Sequence, residues 1–268
     1  MPALSIVIVS YNARADLERC LASLHDPPPA VSHEIVVVDN ASTDGSADAA
    51  RRWADVRVIE AGGNRGFSAG NNLGIRASAG EALLLLNSDT IVPPGAIDGL
   101  MRVLEAHPEA TVVGPRLVDA TGQPELSFGR MIGPLNEWRQ KRFARALASR
   151  EPGARARLDR LTRMEHWPDW VTGACLLVRR ADAERVGLLD ERYFMYTEDV
   201  DFCAAVRAAG GRVLFTPSVE VVHLGGRSRA SAPTATYAAY RRSHLAFYQK
   251  HHPWAVPLLR LYTKLRRT

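Results

Sequence analysis

Leu83-Leu84-Leu85-Leu86-Asn87-Ser88-Asp89-Thr90-Ile91-Val92 is the stretch that decides the fold class. Four consecutive leucines with no alternation, in a short apolar run, read as a strand buried on both faces. The run ends on three short polar side chains. In an open α/β sheet, ligands bind outside the carboxyl ends of the strands. A carboxylate there can hold a hard divalent cation through oxygen ligands. The same three residues would serve equally to open a turn before Pro93-Pro94, so the rest of the chain has to decide.

Working towards the N-terminus, residues 4–9 form a continuous apolar strand closed by Ser10-Tyr11-Asn12. Leu17, Cys20, Leu21 and Leu24 follow at helical spacing and stop before Pro27-Pro28-Pro29. Residues 35–38 are a second apolar strand ending in Asp39-Asn40, then come a helix over 47–53 and a strand over 56–59. Gly62-Gly63-Asn64-Arg65-Gly66-Phe67-Ser68-Ala69-Gly70-Asn71-Asn72 has the composition of backbone that approaches a ligand closely and takes positive φ. A helix over 73–79 leads into the leucine strand. Strand and helix alternating at short intervals predict an α/β fold, a doubly wound parallel sheet. Three polar strand ends on one sheet edge outline a site for a polar ligand such as a nucleotide. GxGxxG and GxxxxGK[ST] are both absent, so such a nucleotide is not held as NAD or ATP would be.

Towards the C-terminus the spacing predicts a helix over 94–106 and a strand over 111–118; residues 125–134 carry no clear pattern. Residues 137–165 hold nine Arg or Lys among scattered leucines. They read as one or two exposed helices broken at Pro152-Gly153, either a solvated face or a substrate cover. An aromatic-led strand spans 167–178. Thr197-Glu198-Asp199-Val200-Asp201 opens a helix with Thr197 as its N-cap and acids favouring the helix dipole. Three carboxylates just after Tyr193-Phe194-Met195-Tyr196 exceed what a cap requires. Two short strands, 213–215 and 219–222, end on His223, which taken alone reads as a core histidine.

At 268 residues with 46% hydrophobic and 24% charged residues, the chain is an ordinary globular protein. Three distant cysteines, Cys20, Cys175 and Cys203, fit a reducing compartment and neither a disulfide framework nor a zinc cage. No basic leader and no apolar window of ~18 residues is found, so the expected location is the cytoplasm. From Val221 onward there are nine Lys or Arg and no acid. The first 220 residues therefore carry 25 basic against 29 acidic side chains, a net −4. A basic tail on an acidic body implies a polyanionic partner: nucleic acid, phospholipid surface or phosphorylated acceptor. The tail's aromatics, Tyr240, Phe247, Tyr248, Trp254 and Tyr262, suit either a membrane surface or packing on the body.

The ordered set Val9-Ser10-Tyr11-Asn12, Val38 to Ser46, Asn64-Arg65-Gly66-Phe67, Asn87-Ser88-Asp89, Thr172-Gly173-Ala174, Thr197 to Asp201 and His223 resembles glycosyltransferase family 2, most closely its bacterial rhamnosyltransferase branch. The likeness covers residues 4–226. It implies a GT-A fold, with a nucleotide-sugar-binding half over 1–118, an acceptor-binding half over 119–226 carrying an insertion near 136–165, and a basic helical tail over 227–268. It also implies an inverting mechanism, a nucleotide-sugar donor and a divalent metal, manganese or magnesium. By position, Asp39 would accept from the imide N–H of uracil or thymine, with Ser10 and Tyr11 flanking the nucleoside. Asn12, Asn64, Arg65, Asn72, Asn87 and Ser88 would complete the donor site. Asp89 would ligate the metal, reached also by His223, and Asp199 would be the general base with Glu198 positioning the acceptor. The triplet reads Asn-Ser-Asp, which puts the metal-binding weight on Asp89.

The likeness further implies dTDP-L-rhamnose as donor, with UDP-sugars as the alternative, and a saccharide acceptor linked to a polyprenyl diphosphate at the inner membrane face. A phosphatase with an aspartyl nucleophile would need a carboxylate where Asn87 stands. A non-catalytic nucleotide-sugar binder would have no need of Glu198-Asp199. No nucleic-acid-binding motif is present.

Overall fold

The computed structural model describes residues 1–225 and 233–265. The expected body–tail boundary at 226/227 and the last three residues lie outside that set. In chain order the body runs β1 (Leu4–Ser10), α1 (Arg14–His25), β2 (His33–Asp39), α2 (Ser46–Ala50), β3 (Val56–Glu60), α3 (Gly66–Arg76) and β4 (Ala82–Asn87). Then come β5 (Thr90–Ile91), α4 (Ala96–Ala106), β6 (Val112–Val118), β7 (Phe128–Gly129), α5 (Pro134–Ala148) and α6 (Pro152–Leu161). β8 (Trp170–Val171), β9 (Cys175–Arg179), α7 (Arg180–Arg185), α8 (Glu198–Ala208) and β10 (Val213–His223) follow. The tail forms α9 (Pro233–His251), a 3-10 turn (Pro253–Ala255) and α10 (Val256–Leu265).

The leucine strand is central and buried on both faces. Leu84 and Leu86 join one core cluster with Leu17, Leu21 and Leu24 of α1 and Ile97, Leu100 and Leu104 of α4. Leu83 and Leu85 join another with Ile75 of α3 and Phe202, Cys203 and Val206 of α8. Eight strands lie in the order β3-β2-β1-β4-β9-β6-β10-β5. β9 runs antiparallel between β4 and β6, and β5 antiparallel to β10; the other neighbours are parallel. The sheet is therefore mostly parallel with helices on both faces.

Four elements differ from the sequence reading. The helix expected over 73–79 begins at Gly66 and ends at Arg76, so α3 takes in residues 66–72 of the glycine- and asparagine-rich stretch. The aromatic-led strand over 167–178 divides into β8 and β9, because Thr172-Gly173 leaves the ladder. The two short strands before His223 are one, β10, whose register against β6 shifts between Thr216 and Glu220. Pro217 cannot donate to a ladder, which is why the strand bulges there. The Arg-rich segment is two helices whose break falls at residues 149–151, with Pro152 opening α6 rather than ending a helix.

The tail aromatics divide. Phe247 and Tyr248 of α9 are buried with Tyr193, Val200 and Ala255 in a core cluster of their own, and Trp254 stays exposed. Tyr262 is not among the described side chains.

Candidate active site

The register brings the polar strand ends together. Ser10 pairs with Asp39 and Val9 with Asn87, so β1, β2 and β4 finish side by side. Asp39 is 3% exposed; its Oδ2 accepts the Ser42 N–H at 2.9 Å. Asp39 Oδ1, Ser10 Oγ and Asn40 Oδ1 are buried with no hydrogen-bond partner. Buried polar atoms are almost always paired, so three unpaired oxygens at adjoining strand ends point to a polar ligand. Tyr11 stands half exposed beside them. Asn12 is exposed, and its Oδ1 accepts the Thr43 N–H at 2.8 Å and so holds the loop after Asp39.

The glycine- and asparagine-rich stretch has another use than the expected one. A Cβ on Gly66, whose φ is +82°, would collide with the carbonyl oxygen of Phe194. Phe67 N–H donates to that same oxygen at 2.7 Å. Asn64 Oδ1 accepts the Gly66 N–H at 3.1 Å at the start of α3, and Arg65 is exposed beside it. Asn72, expected at the donor, is instead a brace: its Nδ2 donates to Leu189 O at 2.8 Å and Glu191 Oε1 at 2.9 Å, and its Oδ1 accepts the Leu189 N–H. It sits in the second turn of α3, facing the loop before α8, and every polar atom of its amide is engaged. The stretch thus serves close approach between two segments of backbone.

At the end of β4, Asn87, Ser88 and Asp89 are partly exposed. The last residue of β10 comes to the same place, because β5 pairs His223 with Thr90. His223 Nε2 stands 3.4 Å from Asp89 Oδ1, and its Nδ1 is 2.9 Å from Glu125 Oε2. Burial opposes a charge on His223, but the two carboxylates outweigh it and raise its pKa to about 10. Glu125 is the residue that sequence reasoning missed. It lies in the stretch without a clear pattern, next to a short bridge between Val118 and Pro124, and nothing local marks it.

The third group opens α8. Tyr196 and Thr197 both take left-handed backbone, with φ of +70° and +66°. Two such non-glycine residues in succession cost of order 1–3 kcal/mol each, and such geometry persists only where its surroundings impose it. Thr197 stands at the N-cap position but makes no capping bond; its hydroxyl donates to the Tyr196 carbonyl. Asp199 Oδ2 accepts the Gly173 N–H at 3.0 Å and Oδ1 the Val200 N–H at 2.8 Å. Glu198 is 6% exposed and its Oε2 has no partner. Burial, then the neighbouring Asp199 charge, pushes the Glu198 carboxyl well above its ordinary range. Burial raises Asp199 as well, against the opposing pull of its backbone bonds. The third acid, Asp201, is outside the site: it bonds Tyr193, Lys250 and His251.

These groups share one edge. Asn87 N–H donates to Ala174 O at 2.9 Å, and Gly173, one residue earlier, holds Asp199. The same edge therefore presents unpaired oxygens for a polar ligand, an aspartate and histidine in contact, and a buried acid pair with elevated pKa values. Among the described residues no three His, Cys, Asp or Glu form a complete metal cage.

Comparison with known proteins bears on this edge. Over 95% of its length the chain is 34% identical to the N-acetylglucosaminyl-diphospho-decaprenol L-rhamnosyltransferase of Mycobacterium tuberculosis, covering 87% of that protein. It is 24% identical to the rhamnosyltransferase WbbL of Escherichia coli over 81% of this chain and 82% of that one. Among solved structures it resembles the mannosyltransferase PcManGT from Pyrobaculum calidifontis in complex with GDP-Man and Mn2+. That likeness has a TM-score of 0.63 at 20% identity and covers 97% of this chain and 68% of the other. With its mostly parallel sheet and this neighbour, the fold is GT-A. Residues 5–183 match the profile of Glycosyl transferase family 2, and the chain belongs to that family as a rhamnosyltransferase-like glycosyltransferase.

Proposed function

We propose that this glycosyltransferase moves L-rhamnose from dTDP-L-rhamnose, with inversion, onto a hydroxyl of a saccharide carried on a polyprenyl diphosphate. The observation that carries the reading is the 34% identity over nearly the whole chain to an L-rhamnosyltransferase of that description. Asp39 Oδ1, buried and unpaired, is suited to accept the imide N–H of thymine or uracil, with Ser10 and Tyr11 beside the nucleoside. Arg65, Asn87 and Ser88 line the approach to the diphosphate.

The residues present fit a divalent cation. Asp89 offers a carboxylate oxygen; His223 offers Nε2, while its Nδ1 is engaged by Glu125, the usual arrangement behind a ligating imidazole. An incomplete protein cage suits manganese or magnesium, which share their coordination with phosphate oxygens and water. When bound, such a cation neutralises charge on the leaving diphosphate.

Asp199 is the general base. A sugar hydroxyl attacking C1 from the face opposite the leaving group must lose its proton, and a carboxylate with an elevated pKa takes it well near neutral pH. Glu198 positions the acceptor. The test is calorimetric titration of dTDP, UDP and GDP, each with and without manganese, followed by transfer from dTDP-L-rhamnose. Metal-dependent binding of dTDP above UDP is expected. Preference for UDP would replace rhamnose by a UDP-linked sugar, and no binding at all would overturn the assignment of the edge.

A further inference from the structure

Five of the nine exposed large apolar side chains among the described residues lie at one corner: Leu135 and Trp138 on α5, Trp254 in the 3-10 turn, and Leu258 and Leu261 on α10, each 56–67% exposed. The corner is held together from behind. His252 Nε2 contacts Ile132 O at 2.7 Å, and Met131, Ile132, Val256 and Leu259 pack on the cluster of Tyr193, Val200 and Phe247. α10 therefore has two apolar faces, one at Val256 and Leu259 against the body and one at Leu258 and Leu261 towards solvent.

The charge pattern names the occupant. Along the exposed face of α5, Leu135 and Trp138 give way to Arg139, Arg142 and Arg145, and the Arg142 guanidinium lies 5.8 Å from the Trp138 ring. Glu137 faces inward, towards His244 and Tyr248 of α9. From Val221 to the C-terminus the chain has nine Lys or Arg and no acid. Large apolar side chains backed by arginines that can snorkel suit an interface of acyl chains under anionic headgroups. A second copy of this chain would set one arginine row against another. No described helix is long and apolar enough to cross a membrane, so the contact is with its surface.

We infer that this corner is a docking surface for an anionic lipid bilayer, entered by Trp138, Trp254, Leu258 and Leu261. The inference rests on the lipid-linked acceptor proposed above and adds the surface that makes the contact. Of the two readings open for the tail aromatics, Phe247 and Tyr248 pack on the body, and the membrane contact falls to Trp254 with the exposed leucines. Val200, next to Asp199, shares a cluster with Ala255, next to Trp254. The first turn of α8 and the corner are thus joined through one core cluster.

The test is co-sedimentation of the full chain with vesicles of phosphatidylglycerol and phosphatidylcholine in equal parts, and of phosphatidylcholine alone. Trp254→Ser/Leu258→Ser should weaken partition at least about tenfold. Arg139→Glu/Arg142→Glu should lose about fivefold per residue on the anionic vesicles only. Unchanged melting temperatures and unchanged transfer to a short, water-soluble prenyl-diphosphate saccharide would show that the variants are folded and active. Equal partition of wild type and Trp254→Ser/Leu258→Ser overturns the proposal. So does failure of the wild type to bind anionic vesicles, and so does a concentration-dependent dimer abolished by the same substitutions. Loss of partition in these variants with no transfer by any form would leave the surface standing and reject the acceptor reading.

Discussion

The main-chain N–H of Gly173 donates to Asp199 Oδ2 at 3.0 Å, across 26 residues of sequence. This bond fixes a carboxylate at the first turn of α8 to the break between β8 and β9. That break in turn is held to the end of β4 by Asn87 and Ala174. Asp199 is oriented by the sheet itself, and with both carboxylate oxygens held by backbone N–H groups its freedom to rotate is small.

Asp199→Asn should therefore reduce transfer about 10²- to 10⁴-fold, the range of a lost general base. Binding of nucleoside diphosphate should be little changed, since Ser10 and Asp39 lie at the ends of β1 and β2 and Asp199 in α8. Single-turnover transfer and calorimetry on the same preparation test both halves. Retained transfer would remove Asp199 from the role. In the wild type, the acid limb of kcat/KM should lie above the ordinary aspartate range, because burial raises the folded pKa.

Glu198→Gln should alter stability in a pH-dependent way. The unfolded chain ionises this carboxyl near 4.5, whereas burial and the Asp199 charge keep it protonated to higher pH in the folded protein. Between those values the folded state binds more protons, so wild-type stability falls as pH rises through that window. Glutamine cannot ionise, so the variant's melting temperature should gain on the wild type from pH 5 upward. Parallel curves across that window would contradict the burial of this side chain.

Glu125→Gln should weaken manganese binding about 10- to 100-fold, as removal of the acid behind a ligating histidine commonly does. Nucleotide binding without metal should be unaffected, which separates orientation of His223 from a general loss of structure. His223→Ala should weaken the metal at least as much. Manganese titration followed by paramagnetic resonance reads both variants, and equal affinities would leave Glu125 as a surface acid.

How far the sequence carried this depends on the range of each interaction. The leucine strand, its polar end and its partners at Ser10 and Asp39 were legible because two-sided burial and strand-end chemistry are local patterns. Glu125 was not, because it is defined by a partner 98 residues away and by no local periodicity. Asn72 misled for a similar reason: it was read as part of a ligand-binding stretch before a helix over 73–79, yet it lies inside α3 and its role is fixed by Leu189 and Glu191, more than 110 residues distant. Asp201 looked like a third acid of the site, and only the tail's return explains it.

That return makes a last prediction. Asp201 is 2% exposed and bonded to Tyr193 Oη at 3.0 Å, His251 Nε2 at 2.6 Å and Lys250 Nζ at 2.8 Å. Phe247, fully buried, packs in the same cluster as Val200. A tail merely appended to the body would leave its unfolding untouched. A tail that completes the core beneath α8 should unfold with it. Phe247→Ala should cost about 3–5 kcal/mol in a single cooperative transition. Lys250→Met should cost about 1–2 kcal/mol, reduced because the lysine is partly solvated. Both variants should keep nucleotide affinity, because the donor edge is packed by α1, α3 and α4. Both should use acceptor less well, because Tyr193 and Val200 support the turn that presents Glu198 and Asp199. Urea unfolding alongside donor and acceptor KM values would test the assignment, and an unchanged midpoint for Phe247→Ala would return the tail to the status of an appendage.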